Sequence, residues 1–362
     1  MGNSHSFATF QPQIIDEVIP VNSYVIGIGG ENIVLSYFEL KEILKYQHPR
    51  VIVLETFALD LDDRFMPTQN YYEFLDSGMW NFSRISVADR YVKPDMLYTL
   101  IPALRQRMDW SKPSGFISLF LNNYEWLSPA STDELLSENS LPITNVISET
   151  DYLADKAATA KSVTPPAKDN LIYFDKFYKL CQDEGIKLIL TTTPMVTTPQ
   201  TTSGRYAPVD IKSLAQKYDL PWLTYDTAAF NHLHFSALDH VNGFGSLIIS
   251  LQMAEEIAGV MDLPINQQKV DYFSSMIFSD YQITMTGGEY RIELYPKSST
   301  TDLLYKWTLS GATGKIYQTD WQKERYFTFQ VPDDGELSIQ VKIRNKSSDY
   351  SISAVFKINK PD

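Results

Sequence analysis

Short apolar bursts alternate with amphipathic segments through about the first 260 residues. V-I-V-L at 51–54 follows the helical pattern L-S-Y-F-E-L-K-E-I-L-K-Y, and K-L-I-L-T-T-T-P at 187–194 follows a helical stretch that Gly185 stops. Brief β-branched runs after amphipathic segments predict βαβ units around a parallel sheet. W-L-T-Y at 222–225 reads as a third, shorter strand. After the helical pattern S-L-I-I-S-L-Q-M-A-E-E-I-A-G-V-M the rhythm changes at about Leu263. From Tyr281 onward period-two alternation dominates: Y-R-I-E-L-Y, L-Y-K-W-T-L, Y-F-T-F-Q-V, L-S-I-Q-V-K-I and I-S-A-V-F-K-I, with G-G, S-G-A-T-G, D-D-G and N-K-S-S-D between them. Short strands separated by turn chemistry over about a hundred residues predict a β-sandwich. That segment holds no histidine and no cysteine, which assigns the chemistry to the earlier part of the chain.

Between Asp60 and about Lys168 the alternation breaks into a long stretch rich in Tyr, Trp, Pro and Asn, with F-I-S-L-F-L-N-N-Y-E-W-L at its centre. A connection of this length reads as a lid or binding element. Trp80, Tyr124 and Trp126 offer ring faces to a sugar, or core packing, and Arg64 and Arg84 offer charge to an anionic polymer or to solvent. A-D-K-A-A-T-A-K-S-V-T-P-P-A-K, near the end of this stretch, reads as a flexible surface segment.

Charge narrows the partners. The 362 residues carry a formal net charge of −13, and no basic stripe is present, so a nucleic-acid partner is excluded. The single cysteine, Cys181, lies in a helical pattern and reads as a small buried hydrophobe. No run of about 18 apolar residues appears, which argues against a membrane span, and the first residues do not read as a secretory signal.

Two clusters carry candidate chemistry. Gly2-Asn3-Ser4-His5-Ser6 opens the chain just before Phe7, Phe10 and Pro12, a pattern suited to a tight turn into a helix. There Ser4 is either a nucleophile, given a positioned base and oxyanion donors, or one of the small polar residues that cap helices. Far downstream, H-L-H-F-S-A-L-D-H-V-N-G-F-G-S brings together His232, His234 and His240, three of the five histidines. These read as one general base with two packing residues, or as metal ligands; the absence of a cysteine or a well-spaced acid pattern favours the first.

In this order the two clusters resemble the SGNH, or GDSL-like, hydrolase superfamily. The resemblance implies Ser4 of Gly2-Asn3-Ser4 as nucleophile and its backbone N–H as an oxyanion donor. It implies His240 of His240-Val241-Asn242 as general base. N-S-Y-V-I-G-I-G-G at 22–30 is similar to the family's glycine block and implies Gly29 as the second donor, with Gly30 the alternative. Three departures stand out. Met1 falls where the family's first strand would already be running, so that strand, and any membrane anchor, would lie upstream or come from elsewhere. Ala237 occupies the place of the orienting acid, leaving the adjacent Asp239 as substitute, or else a Ser–His dyad or an inactivated site. The strand end V-L-E-T-F-A-L-D puts Glu55, Thr56 and Phe57 where the family carries an oxyanion asparagine.

The architecture so implied is α/β: a three-layer α/β/α, flavodoxin-like SGNH domain with a mostly parallel sheet over residues 1–263, interrupted at about 61–168, then a β-sandwich accessory domain over 264–362. The implied activity is acyl-ester hydrolysis or O-acyl transfer through an acyl-Ser4 intermediate. Its substrate would be a bacterial cell-surface glycan, as in the branch that includes teichoic acid D-alanyl transfer proteins and polysaccharide O-acetyltransferases. Asn3, His5, Glu55, Tyr124 and Trp126 are the candidate substrate contacts. No cofactor or metal is implied; the partners implied are the polysaccharide or its acyl donor and a membrane acyltransferase, in an extracellular or envelope-bound setting. The rivals are a non-catalytic glycan-binding protein on the same fold, and a passenger α/β part whose C-terminal strands dock onto another protein.

Overall fold

In a computed structural model, residues 1–61, 71, 74–75, 82–91, 143–156, 168–196, 209–298, 302–311, 314–330, 337–346 and 350–358 are described. Helices α1 (Ser4–Thr9), α2 (Pro12–Val18) and α3 (Ile33–Ile43) precede strand β1 (Val51–Glu55) and the single turn α4 (Phe57–Asp60). Then come α5 (Phe82–Tyr91), α6 (Glu149–Lys156), α7 (Lys168–Asp183), β2 (Lys187–Thr192), α8 (Ile211–Tyr218) and β3 (Trp222–Thr224). Two 3-10 turns, Thr227–Ala229 and His232–His234, lead into α9 (Gly243–Met261) and α10 (Gln267–Ser274).

Strands β1, β2 and β3 form a parallel sheet in that order, with Val51 opposite Lys187 and Leu190 opposite Trp222. The strand period of two sends alternate side chains to opposite faces. Ile52, Leu54, Leu188 and Leu190 face a core shared with α3, α7 and α8, while Val51, Val53 and Ile189 face a second core built on α2 and α9. Beside β1 the backbone of Met1 runs parallel to it: Met1 N donates to Val53 O (2.6 Å) and Glu55 N to Met1 O (3.0 Å). Gly2 in turn bridges Gly27 in parallel.

The remaining seven described strands are antiparallel. β4 (Phe278–Thr286), β5 (Glu289–Pro296) and β8 (Tyr326–Gln330) form one sheet. β6 (Leu303–Gly311), β7 (Gly314–Gln318), β9 (Leu337–Asn345) and β10 (Ser351–Ile358) form another, in the order β10-β9-β6-β7. Inward residues of both sheets meet in one core, where the Phe327 and Trp307 rings stack 6.0 Å apart.

The expectation of a three-layer α/β/α fold with a mostly parallel sheet is therefore corrected. The parallel sheet has only three strands among the described residues, and most of the β structure is antiparallel and C-terminal. The βαβ rhythm marked these three strands, while the three-layer, mostly parallel architecture that the family resemblance implied is not found among the described residues.

Helix α9 joins these parts. It is apolar on nearly every side because it packs against both α2 and the C-terminal strands, and residues from Phe244 to Ala258 sit in the same core as Trp307 and Phe356. By length and composition it would suffice to cross a membrane, a feature the run-length reading missed because polar residues interrupt it; 67% of its apolar window is buried inside the protein. A helix hydrophobic all round is the expected form of a core helix.

Candidate active site

The turn that carries Ser4 is held from several sides. Gly2 has φ +140°, and a Cβ there would come within 3.1 Å of Glu55 Cβ. Asn3, buried, caps α1 by accepting the His5 N–H (3.0 Å), and its amide donates to Glu31 O (3.4 Å). Ser6 Oγ donates back to Asn3 O (2.7 Å). Beneath the turn lies Gly27, where a Cβ would stand 2.1 Å from Gly2 O and 2.7 Å from Ser6 Oγ, so only glycine fits. Ser4 is the first residue of α1, and its N–H has no acceptor within the helix.

The other half comes from the loop ahead of α9. Phe235 and Val241 bridge in antiparallel fashion, and His240 O accepts from Ser236 N (2.9 Å), Ala237 N (3.4 Å) and Ser236 Oγ (3.1 Å). Residues 236–240 are thereby folded into a tight loop, tied to the segment that follows β2 by Val196 N donating to Leu238 O (2.8 Å). Asn242, fully buried, caps α9 through Phe244 N and Gly245 N and donates to Leu233 O (2.7 Å) and Phe235 O (3.2 Å). His234 accepts from Asn231 N at Nδ1 (3.1 Å). Burial pushes it down to about 4, so it is neutral and its Nε2–H donates to Phe278 O (3.0 Å). His234 is thus a fastener between the loop and β4.

Across these two halves a continuous chain of hydrogen bonds forms. Ser4 Oγ lies 2.8 Å from His240 Nε2, and His240 Nδ1 lies 2.8 Å from Asp239 Oδ1. The His240 side chain is 18% exposed and that of Asp239 50%. Burial would raise the Asp239 carboxyl, but the hydrogen bond and charge of His240 outweigh it and hold Asp239 below the usual carboxylate range. Neighbours in an extended chain point apart; the curled 236–240 loop lets Asp239 and His240 face each other. Ala237, in the place of the orienting acid, is exposed and contributes only its backbone.

Behind His240 sits His5. It is 2% exposed, its ring stacks on His240 (4.5 Å between centroids) and tilts against Phe57 (4.3 Å). Burial first, and the neighbouring His240 second, push it down to about 3, so it stays neutral. Its Nδ1 meets Thr193 Oγ1 (3.3 Å), and Thr193 donates to Glu55 Oε1 through its hydroxyl (3.2 Å) and its N–H (3.4 Å). Glu55 Oε2 accepts from Phe57 N (3.0 Å). Burial raises Glu55 to about 8, which makes it a neutral bracket at the end of β1 at neutral pH.

Asn3, His5 and Glu55, expected as substrate contacts, are thus buried and occupied by the scaffold around the Ser4 turn. Tyr124 and Trp126 lie outside the described residues, as do Trp80 and Arg64; Arg84 is buried. At Gly29 a Cβ would meet no atom within 4 Å, and the packing glycine that sequence reasoning missed is Gly27. Thr193 was missed too, although the triple threonine at the end of β2 was a visible signal. Burial pushes the Cys181 thiol up to about 12, which removes it as a nucleophile.

No protein-family model matches the chain, and no curated protein matches it. Among solved structures, a pectate lyase from Pectobacterium carotovorum is similar at 9% identity and TM-score 0.18, over 23% of this chain and 26% of the lyase. A DUF3244-family protein with an immunoglobulin-like β-sandwich fold from Bacteroides vulgatus is similar at 12% identity and TM-score 0.16, over 22% of this chain and 84% of that one. The spore cortex lytic enzyme of Clostridium perfringens is similar at 9% identity and TM-score 0.17, over 54% and 65%. Similarities this weak carry no argument about fold or function.

Proposed function

We propose that the protein is a serine-dependent acyl-ester hydrolase or O-acyltransferase of the SGNH kind. The observation that carries this reading is the hydrogen-bond chain from Asp239 through His240 to Ser4. A serine hydroxyl attacks an ester only when a base removes its proton, and the base works best when an acid fixes its tautomer and steadies the charge it gains. In the proposed cycle Ser4 Oγ attacks the acyl carbonyl as His240 Nε2 takes its proton. The tetrahedral intermediate collapses as His240 returns that proton to the departing alcohol. Water, or a sugar hydroxyl, then attacks the acyl carbon as it gives up a proton to His240, and the Ser4 Oγ–acyl bond breaks as His240 returns that proton to Ser4 Oγ. The Ser4 and Gly29 N–H groups are the proposed oxyanion donors.

The substrate class, an acyl ester on a bacterial cell-surface glycan, rests on the resemblance of the opening motif and of the long aromatic insertion to envelope-modifying members of that superfamily. An extracellular or envelope-bound location and a membrane acyltransferase partner rest on the same resemblance. The test is intact-mass analysis after exposure to a fluorophosphonate, which traps activated serines irrespective of the natural substrate. One adduct is expected, absent in Ser4→Ala. No adduct in a folded protein would overturn the catalytic reading and leave non-catalytic glycan binding as the better account.

A further inference from the structure

A buried acid stands where the glycine turn at 28–31 meets the turn that carries Ser4. Glu31 is fully buried, and residues 28–31 close on it at both ends. Its carboxyl Oε2 accepts from Ile28 N (2.8 Å), and its own N–H donates to Ile28 O (3.0 Å). Gly29 and Gly30 lie between, Gly30 at φ +68°, in the left-handed region that favours glycine. From α3, Ser36 Oγ donates to Glu31 Oε1 and fixes the carboxyl from behind. On the other side Glu31 O accepts from Nδ2 of Asn3 (3.4 Å), the residue that caps α1 in front of Ser4. The glycine turn and the serine turn are therefore joined twice, here and through the bridge between Gly27 and Gly2.

A carboxyl is a costly group to bury, and it stays buried only where its hydrogen-bonding capacity is used. Burial and the neighbouring Glu39, itself buried and raised to about 7, push Glu31 well above the usual carboxylate range. The two side chains share a hydrogen bond, which requires a proton on one of them. What remains of the Glu31 carboxyl is directed at Ile28 N, the amide next to Gly29. Without that acceptor the turn would be closed at one end only, by Glu31 N and Ile28 O. Oxyanion donors accelerate a reaction because they are fixed in direction before charge develops.

We infer that Glu31 is the positioning residue of the oxyanion hole: its carboxyl closes the turn that presents Gly29, and its carbonyl ties that turn to Asn3 beside Ser4. This rests on the serine reading above, since the turn matters to rate only if Ser4 forms an oxyanion. Glu31 touches no reacting atom and acts through the backbone of Ile28 and Gly29.

The test is saturation kinetics of fluorophosphonate labelling, which separates the maximal rate kinact from the binding constant KI. Glu31→Leu keeps the bulk and removes the acceptor. It is expected to lower kinact by about 10²-fold, the scale of one lost oxyanion donor, with KI within about threefold of wild type. The pH midpoint of labelling, set by His240, is expected to stay at its wild-type value, which a general loosening of the site would not allow. Glu31→Gln keeps an acceptor for Ile28 N and offers an N–H to Glu39, while Ser36 Oγ can turn to Asn32 O (3.3 Å). It is expected to recover kinact to within about fivefold of wild type. Unchanged kinact in Glu31→Leu, or a Glu31→Gln as slow as Glu31→Leu, overturns the proposal. Should Glu31→Leu fail to fold, the amide ¹H shifts of wild type decide: Gly29 must move downfield on labelling, as its N–H meets the phosphonyl oxygen, and an unmoved Gly29 refutes the role. A folded wild type that never labels would sink the catalytic reading and this inference with it. A wild type that labels, with Glu31→Leu equally fast, sinks the inference alone.

Discussion

Replacing Asp239 with asparagine tests whether a neighbour in sequence can serve as the orienting acid. The carboxylate accepts one hydrogen bond from His240 Nδ1 at 2.8 Å. A hydrogen bond to a charged group contributes about 1.5–3 kcal/mol. With half of the Asp239 side chain exposed, solvent screening brings this to about 1–2 kcal/mol. At about 1.4 kcal/mol per decade, Asp239→Asn should label with a fluorophosphonate about 5- to 30-fold more slowly than wild type. That is far short of the roughly 10⁴-fold loss attached to a buried orienting aspartate. The assay is the second-order labelling constant by intact mass, with far-ultraviolet circular dichroism to show that the fold is kept. A rate within twofold of wild type would mean that the contact does no work, and a loss near 10⁴ would refute the screening argument. Ala237→Asp is the companion variant: its position is exposed and the acid's seat beside His240 is already filled, so no gain in rate is expected.

Gly27→Ala should destabilise the protein by about 2 kcal/mol or more and abolish labelling, because the new methyl would stand 2.1 Å from Gly2 O; Gly29→Ala, with no atom within 4 Å, should fold normally, as urea melts of the pair would report. Asn242→Ala removes a helix cap, worth about 1 kcal/mol, and strips the donor from the buried Leu233 carbonyl, about 1–3 kcal/mol more, so urea melts should show an unfolding free energy lowered by about 2–4 kcal/mol. His234 sits at about 4 in the fold against 6.5 when free, so the unfolded chain binds the extra proton and stability falls as pH drops from 6.5 through about 4, by about 3 kcal/mol for this residue; His234→Gln should flatten that limb. Glu55, raised to about 8, works in the opposite sense, and its contribution is lost as pH rises through 8.

The sequence located elements better than architecture. V-I-V-L, K-L-I-L-T-T and W-L-T fall on β1, β2 and β3, since a buried parallel strand is a short β-branched run whatever surrounds it. Strand β7 was invisible because all five of its residues are exposed and burial imposes no alternation on it; β4 alternates at Y-Q-I-T-M-T but, with most of its side chains facing solvent, it was not singled out as a strand. The balance between parallel and antiparallel structure across the whole fold was not legible, since long-range pairing is encoded by no local pattern. At the site, the serine and histidine blocks were readable as motifs. The standing of Asp239 was not, because it depends on how residues 236–240 curl. His5 gave the opposite lesson: adjacency to Ser4 suggested a substrate contact, yet the helical turn of α1 carries the ring inward, against the His240 ring.

The C-terminal strands are bonded directly into the loop that carries His240, which bears on whether they are an accessory at all. Asn231 Nδ2 donates to Ser279 O (2.7 Å) and His234 Nε2 to Phe278 O (3.0 Å), both at the start of β4. Residues 143–147 form a strap on the other side. Val355 N donates to Thr144 O (2.7 Å), Val146 N to Val355 O (2.9 Å), Ile147 N to Phe235 O (2.9 Å) and Gly243 N to Ile143 O (2.9 Å). Deep in the same interface Tyr350 OH bonds Gln11, whose amide reaches Ser246 Oγ (2.8 Å) just beyond α1. Cutting the chain after Leu263 would leave these groups unpaired and expose the apolar face of α9. Residues 1–263 alone are therefore expected to lose cooperative unfolding and fluorophosphonate labelling together, as circular dichroism melts and intact mass would report. A truncated monomer that melts sharply and labels at the wild-type rate would refute this. It would mean that the 236–240 loop holds Asp239 and His240 in place by its own backbone bonds, with the strands only resting against it.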